Sequence, residues 1–282
     1  MPIKTKYTTE DDVISIPLPV HGRRYAVVPH EHIIKHSIKT LTEAGFVITN
    51  KSYKKSLDGQ VVQGIYTLDK GYDSELQMMF AWSNSYNKLI KFKCAIGAQV
   101  YVCMNGMISG DIGVYQRKHT GTSALADIDQ YIETQISNAN TQYSDLVGDK
   151  EILKNVSLSI QEKSSLVGRL YFEKDLITLT QMGLIKKEID KPSHRYSSNP
   201  NSAWDLYNHI TLSLKDSHPL TYFVDHQKVH DFFLNEFQTK QTTLFEIKEE
   251  VVSDDLPEPS TRNYYADEIK LVKNGTHGIN FI

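Results

Sequence analysis

The spacing of hydrophobic residues predicts a helix followed by a sheet in the first part of the chain. Apolar positions between His30 and Ala44 recur every three or four residues, and Gly45 follows where a C-cap glycine belongs. The next stretches are rich in β-branched and aromatic residues and are separated by turn signals. They predict strands at Phe46–Tyr53, Val61–Leu68, Glu75–Ser83, Leu89–Ala95 and Gln99–Met104. Consecutive strands with short connections predict an antiparallel meander and an α+β fold.

After Gly121 the pattern becomes helical. Apolar residues from Leu125 to Leu146 are spaced alternately by three and four, which predicts a long amphipathic helix ending at Gly148-Asp149. The period resumes from Leu153 to Val167, so a second helix is expected to fold back as a central helical hairpin. The apolar stripe fits either an intramolecular core or an oligomer seam, and we favour the core because a coiled coil needs more heptads.

The last part of the chain predicts a loop and two further helices. Residues Lys186–Pro200 are polar and contain two prolines, which is typical of a loop. Ser202 and Asp205 match a capping box that opens a helix extending to about Lys215. A final helix is expected near Asp225–Thr239.

These elements suggest three regions. Residues 1–24 contain three prolines and predict an extended N-terminal arm, able to pair with the sheet or with a neighbouring subunit. Residues 25–243 predict a single α+β domain, rich in strands over 25–120 and helical over 121–243. Residues 244–282 carry a net charge of −4 and predict a flexible acidic tail.

The composition limits the class of protein. The 282 residues are 40% hydrophobic and 23% charged, which excludes collagen-like, wholly disordered and disulfide-scaffold proteins. The net charge of −3 creates no overall field towards nucleic acid or an anionic membrane. Cys94 and Cys103 suit buried reduced thiols. No apolar run approaches the ~18 residues of a membrane span, and the N-terminus lacks a signal-peptide core, so a cytoplasmic location without membrane partners is expected.

Motifs for the common enzyme classes are missing. The sequence has no phosphate loop, dinucleotide fingerprint, nucleophile elbow or HExxH motif, so we favour a non-enzymatic protein and predict no cofactor. Two histidine pairs at helical spacing, His32 with His36 and His226 with His230, could each face one metal. Because no third ligand is evident at matching spacing, structural or surface roles are preferred and no metal is predicted.

Two short motifs resemble half of a metal-dependent nuclease site. Glu246-Ile247-Lys248 and Glu268-Ile269-Lys270 each combine a carboxylate with a lysine. Both lie in the polar tail without an upstream aspartate on a rigid strand, so a nuclease is not favoured.

Basic and aromatic residues alternate on the predicted strands. Lys91 and Lys93 share one face of their strand, and Lys51, Tyr53 and Lys55 share one face of theirs. Exposed lysines interleaved with tyrosines suit a nucleic-acid backbone and its bases. The alternative is a solvated face whose lysines protect an edge strand. The predicted nucleic-acid-binding residues are Lys51, Tyr53, Lys54, Lys55, Tyr86, Lys88, Lys91 and Lys93.

Three stretches resemble a known family. They are Phe80-Ala81-Trp82-Ser83-Asn84-Ser85-Tyr86, Gly97-Ala98-Gln99-Val100-Tyr101-Val102-Cys103-Met104-Asn105-Gly106, and Ala203-Trp204-Asp205-Leu206-Tyr207-Asn208-His209-Ile210-Thr211. Their order and separation resemble an uncharacterised family of phages, prophages and conjugative plasmids, domain of unknown function 932, over about residues 20–240. The chain departs from that pattern at Asn87, where aspartate is expected, and in its acidic tail.

The resemblance implies a mobile-element origin and an intracellular bacterial setting, but no reaction. The motif residues have physical interpretations of their own. Asn84 and Ser85 suit a strand-end turn, Asn105-Gly106 suits a tight hairpin with positive φ, and Asn208 on the Trp204 helix suits a contact with a loop. These roles are structural.

Two functional hypotheses follow. The first is a non-enzymatic protein, expected to form a homo-oligomer, that binds single-stranded DNA during replication or recombination of a mobile element. The second is a protein-binding inhibitor of a host defence or host-takeover factor, with the acidic tail and the arm as contact elements.

Overall fold

A computed structural model describes residues 5–20, 26–69, 71–100, 106–108, 115–117, 123–215 and 217–245. The strands are β1 (Thr5–Thr8), β2 (Ile48–Ser56), β3 (Val61–Leu68), β4 (Leu76–Ser85), β5 (Phe92–Val100), β6 (Gly106–Met107) and β7 (Tyr115–Arg117). The helices are α1 (Glu10–Ile14), α2 (His30–Glu43), α3 (Ala124–Ser137), α4 (Ala139–Lys154), α5 (Ile160–Phe172), α6 (Leu179–Asp190), α7 (Ala203–Leu214) and α8 (Tyr222–Phe245).

The α+β fold and the antiparallel meander are confirmed. Strands β1 to β5 pair in chain order, each antiparallel to the next, and β6 and β7 both pair with β5. The β2–β3 turn contains Gly59 at φ +71°, a conformation that glycine adopts without strain. The strand predicted at Leu89–Ala95 begins later, at Phe92, and extends to Val100, so it absorbs the start of the strand expected at Gln99–Met104.

One face of the sheet, the core face, packs against the helices. Its rings include Tyr66, Phe80 and Trp82, all completely buried. The apolar stripe of α3 and α4 joins the same core, through Ile128, Ile132, Ile136, Tyr143 and Leu146. The interpretation of this stripe as intramolecular core is therefore confirmed.

The helix boundaries differ from the prediction at three places. The expected long helix is two helices, which part at Asn138, and Gly148 lies inside α4 rather than ending it. Gly148 is exposed, so an isolated glycine costs this helix only about 1 kcal/mol relative to alanine. The second helix of the predicted hairpin corresponds to α5, which starts after Ser159 and not at Leu153. The capping box of Ser159 with Glu162 fixes this start. Helix α6 extends to Asp190, into the segment predicted as a loop.

Three helices agree with the sequence more closely. Ser202 caps α7 by accepting a hydrogen bond from the Asp205 amide at 3.1 Å, as predicted. Helix α2 ends before Gly45, which adopts φ +77°. Helix α8 includes the predicted Asp225–Thr239 but is longer at both ends.

The N-terminal segment is more regular than the extended arm that its prolines predicted. Strand β1 pairs antiparallel with β2 and lies at the edge of the sheet, so the arm pairs with the sheet, the first of its two predicted partners. Helix α1 follows, capped by Thr9, whose side chain accepts from the Asp12 amide at 3.2 Å. The acidic tail from residue 246 onward lies outside the described residues. The division of the chain into three regions remains a prediction.

Helices among the described residues are not long and apolar enough to cross a membrane.

Candidate ligand pocket on the polar face of the sheet

The second face of the sheet carries a row of polar residues, and we call it the polar face. The strand register places Lys54 opposite Gln63, Gln63 opposite Ser83, and Ser83 opposite Lys93. Tyr7 continues the row on β1, opposite Lys54. Lys54, Gln63, Ser83 and Lys93 are all at least nine-tenths buried, whereas Tyr7 is 58% exposed. Polar groups in such positions require partners from the protein or from a ligand.

Part of this face is covered by the start of α8. Tyr222 and Phe223 pack with Met79, Ala81 and Ala95 in a second, smaller apolar cluster. The uncovered part forms a cavity of about 310 Å³. Cavities that hold small ligands have volumes of roughly 300–1,000 Å³. The lining residues are Tyr7, Asn50, Ser52, Lys54, Gln63, Ile65, Thr67, Gln99, Gly106, Lys215, Tyr222 and His226.

The charges that line the cavity have one sign. Lys54 and Lys215 line it, and the described lining residues include no aspartate or glutamate. Lys54 Nζ donates to the Ser217 carbonyl at 2.8 Å and lies 5.8 Å from the centre of the Tyr7 ring. Lys215 is exposed. The cavity is therefore suited to an anionic ligand, with one lysine held in place and the other at the surface.

Two residues that line the cavity each carry a buried polar atom that makes no hydrogen bond with the described part of the chain. The two atoms are Gln63 Nε2, a donor, and His226 Nε2. Gln63 is 3% exposed and His226 is fully buried. An unsatisfied buried polar group costs about 1–3 kcal/mol, and a ligand that supplies the missing partner recovers that free energy.

The hydrogen bond of His226 defines its tautomer. His226 Nδ1 lies 2.9 Å from the Gly106 carbonyl, which can only accept, so Nδ1 carries the proton. Burial lowers the pKa of His226 to about 4, although the bond to Gly106 favours the charged form. At neutral pH the ring is uncharged and its Nε2 atom is an acceptor. Burial also raises the pKa of the neighbouring Tyr222 hydroxyl, which therefore stays protonated.

The structure separates the predicted nucleic-acid-binding residues into two groups on opposite faces. The expected exposure of Tyr53 and Tyr86 is wrong: they are 3% and 2% exposed. The Tyr53 hydroxyl donates to Glu10 at 2.8 Å, and the Tyr86 ring stacks on His30 at a centroid distance of 3.9 Å. Neither ring can stack on a base. Period-2 alternation placed Tyr53 correctly beside Lys51 but could not say that this face is covered by helices.

The predicted lysines also divide. Lys51 pairs with Glu10 at 2.5 Å, and Lys93 is buried on the polar face, so its expected exposure is wrong as well. Lys88 is exposed, while Lys55 and Lys91 are half-buried. Of the eight predicted residues, Lys54 alone lines the cavity among the residues described. A nucleic-acid role for the others remains a prediction.

The family-motif residues have structural contacts. Ser85 Oγ donates to the Ile90 carbonyl and accepts from the Ile90 amide, which closes the turn as expected. Asn84 Nδ2 instead donates to the distant Val28 carbonyl at 2.9 Å. Asn208 Nδ2 donates to the Trp204 carbonyl within α7, and its expected loop contact remains a prediction.

Gly106 differs from the sequence interpretation. Its φ is not positive, because it pairs within β6, and a Cβ there would lie 2.5 Å from the Tyr222 hydroxyl. Close approach, not a turn conformation, is the reason for glycine at this position.

Asn105 and Cys103 lie outside the described residues, as do both Glu-x-Lys motifs. Cys94 is a buried free thiol, as expected.

The second histidine pair does not converge on one point. His226 bonds to Gly106, whereas His230 lies 3.1 Å from the Asp149 carboxylate and 3.3 Å from the Tyr207 hydroxyl.

Sequence reasoning treated His226 as half of a pair and overlooked Asn50, Ser52, Gln63, Thr67, Gln99, Lys215 and Tyr222. The available signal was the pair Gln63 and Thr67, two polar residues four positions apart, and so on one face, in a strand that is otherwise largely apolar.

Comparisons with protein-family models, with curated proteins and with solved structures find no match. The resemblance to domain of unknown function 932 is neither supported nor contradicted by them, and it remains a prediction.

Proposed function

We propose that this protein binds single-stranded nucleic acid without catalysing a reaction, and that the cavity on the polar face receives one unpaired nucleotide. The observation that carries the proposal is the pair of buried atoms without a hydrogen bond among the described residues, Gln63 Nε2 and His226 Nε2, which belong to residues lining a cavity whose charged lining residues are lysines. The first atom is a donor and the second an acceptor at neutral pH. A nucleobase edge offers both complementary groups.

The lining residues suit such a ligand for chemical reasons. Asn50, Gln63 and Gln99 carry amide side chains, which can pair with the edge of a base that is not already paired. Bases in a duplex present no such free edge to a cavity. The preference is therefore for single strands.

Two lysines and a tyrosine ring line the cavity, and we expect them to contact the nucleotides next to the bound one. Lys215 is exposed and Lys54 lies behind Tyr7, whose ring is more than half exposed at the edge of the sheet. Lysines contribute to affinity by neutralising phosphates and releasing counterions, and an exposed tyrosine offers a stacking surface for the next base. The proposed interface therefore lies on the polar face, whereas most of the lysines predicted from the sequence lie outside the cavity.

The test is fluorescence anisotropy of the full chain with labelled single-stranded and double-stranded DNA across a salt series. We expect tighter binding to single strands and an affinity that decreases as salt increases. Lys215→Gln should weaken binding and reduce the salt slope by about one. Lys88→Gln is the matched control, because Lys88 is also exposed but lies outside the cavity, and it should bind as the wild type does.

The outcomes separate the hypotheses. Equal loss in the two lysine variants would indicate a diffuse basic surface and contradict a role for the cavity. Binding of a free mononucleotide as tight as that of an oligonucleotide would indicate a small-molecule receptor. If neither nucleic acid nor mononucleotide binds at low salt, the proposal is wrong, and the protein-inhibitor hypothesis becomes the one to test.

A further inference from the structure

The first histidine pair meets two carboxylates across a helix interface. His32 and His36 lie one turn apart on α2, and Asp129 and Glu133 lie one turn apart on α3. His32 Nε2 is 2.7 Å from Asp129 Oδ1, and His36 Nε2 is 3.8 Å from the same oxygen. His36 Nε2 is also 3.3 Å from Glu133 Oε1. The third ligand that the sequence spacing did not reveal comes from a helix 97 residues away.

We propose that these residues form a binding site for a divalent first-row transition metal such as Zn²⁺. The ligand atoms of His32, His36 and Asp129 all lie within 4.8 Å of one another. Metal–ligand bonds of about 2.0–2.2 Å in tetrahedral geometry place neighbouring ligand atoms roughly 3.4 Å apart. Small side-chain rotations are sufficient to reach that spacing. Two imidazoles with carboxylates favour zinc and its neighbours over Mg²⁺ and Ca²⁺, which prefer oxygen ligands.

The state of His36 supports a ligand role over a simple ion pair. Its Nε2 atom is shielded from solvent and lies 3.3 Å from Glu133 and 3.8 Å from Asp129, but it makes no hydrogen bond among the described residues. The Asp129 oxygen is instead bonded by His32. A metal between His32, His36 and Asp129 would replace the long contacts of His36 Nε2 with a coordinate bond, and the His32–Asp129 hydrogen bond with two coordinate bonds.

The lysines nearby do not occupy the carboxylates of the site. Lys35 pairs with Glu31 at 2.6 Å, and Lys39 pairs with Glu43 at 3.8 Å, each within α2. Glu133 is more than half exposed, so an ion can enter from solvent and retain a position for water. The metal would join α2 to α3, which the sequence places far apart. The proposal is independent of the cavity on the polar face.

The test is equilibrium dialysis of the chelator-treated full chain against ZnCl₂, with MgCl₂ as a second arm. We expect one Zn²⁺ per chain, no comparable Mg²⁺ binding, and a melting temperature that rises with zinc concentration. His36→Gln and Asp129→Asn should each weaken zinc binding by at least about tenfold, because each removes a ligand. Metal-free circular dichroism verifies that both variants are folded.

His194→Gln is the control, since it removes a histidine from the loop that follows α6 and should leave zinc affinity unchanged. Three results would overturn the proposal: no stoichiometric zinc binding by the wild type, the same affinity in the folded Asp129→Asn and His36→Gln variants as in the wild type, or Mg²⁺ binding as tight as that of Zn²⁺.

Discussion

His226 donates from Nδ1 to the Gly106 carbonyl at 2.9 Å, and this bond joins α8 to the short strand β6 across 120 residues of sequence. The bond holds the imidazole of His226, a residue that lines the cavity, in one orientation. Residue 106 must also lack a side chain, because a Cβ there would collide with the Tyr222 hydroxyl. Gly106 therefore has two roles: its carbonyl accepts the hydrogen bond of His226, and its lack of a side chain leaves room beside the Tyr222 hydroxyl at the cavity.

The buried neutral state of His226 predicts loss of stability in mild acid. The pKa is about 4 in the folded protein and 6.5 for an ordinary histidine, so between these values the unfolded chain binds more protons. Stability should decrease as pH falls from about 6.5 to about 4, by roughly 3 kcal/mol from this group. His226→Asn retains a donor near the Nδ1 position but cannot titrate. Urea unfolding at pH 7 and pH 4.5 should show a smaller decrease in the variant, and equal decreases would refute the assignment.

Gln63 is predicted to reduce stability in return for binding. Its Nε2 atom is buried without a hydrogen-bond partner among the described residues, so Gln63→Met, which has a similar shape, should leave the free energy of unfolding unchanged or raise it by about 1–3 kcal/mol. The same change should weaken single-strand binding. A Met variant that is clearly less stable in chemical denaturation would show that the amide is satisfied in the native protein.

The ion cluster around Lys150 is predicted to stabilise the fold more than the ion pair of Lys154 does. Lys150 is 3% exposed at its side chain and lies 2.6 Å from Asp73 and 3.0 Å from Glu151. Lys150→Met leaves the Asp73 carboxylate largely buried without its cation, so unfolding should become easier by about 3–5 kcal/mol. Lys154→Met is the control: Lys154 is a quarter exposed and bonds to Glu75 at 2.9 Å, and its loss should cost about 1 kcal/mol or less.

The same cluster predicts a pH dependence. Burial alone would raise the pKa of Asp73, but Lys150 and two backbone amides lower it below 3.8. This stabilisation is present above pH 3.8 and is lost as pH falls through the folded-state pKa. The stability deficit of Lys150→Met relative to wild type should therefore shrink below about pH 4. A constant deficit across that range would contradict the role of Asp73.

Two glycines are predicted to respond oppositely to alanine. A Cβ on Gly64 would overlap the Trp82 indole, which is completely buried, so Gly64→Ala should destabilise the sheet by about 1–3 kcal/mol. Gly148 lies on an exposed helix face with no atom within 4 Å of its Cβ position, so Gly148→Ala should stabilise by about 1 kcal/mol. Thermal unfolding of the two variants checks the prediction, and a shift of the same sign in both would contradict it.

Local signals in the sequence determined much of the fold. Alternating strands with turn residues such as Gly59 predicted the antiparallel order, and the Ser202 cap and Gly45 terminus located helix ends, because these features depend on neighbours a few residues away. The break at Asn138 and the helical state of Gly148 were not predictable, because tertiary packing outweighs a propensity difference of about 1 kcal/mol.

The two candidate sites, the polar face of the sheet and the histidine cluster of α2, depend on contacts between residues that are distant in sequence. Alternation along a strand showed that Lys51 and Tyr53 share a face, but only the packed helices decided that this face is the core. The row from Lys54 to Lys93 needed the register of four strands, and the histidines of α2 needed α3 to bring Asp129. Sequence alone determined most of the core strands and several helix ends, since the rules for them are short-range. Tertiary structure decided which polar groups meet, since burial and long-range pairing place them.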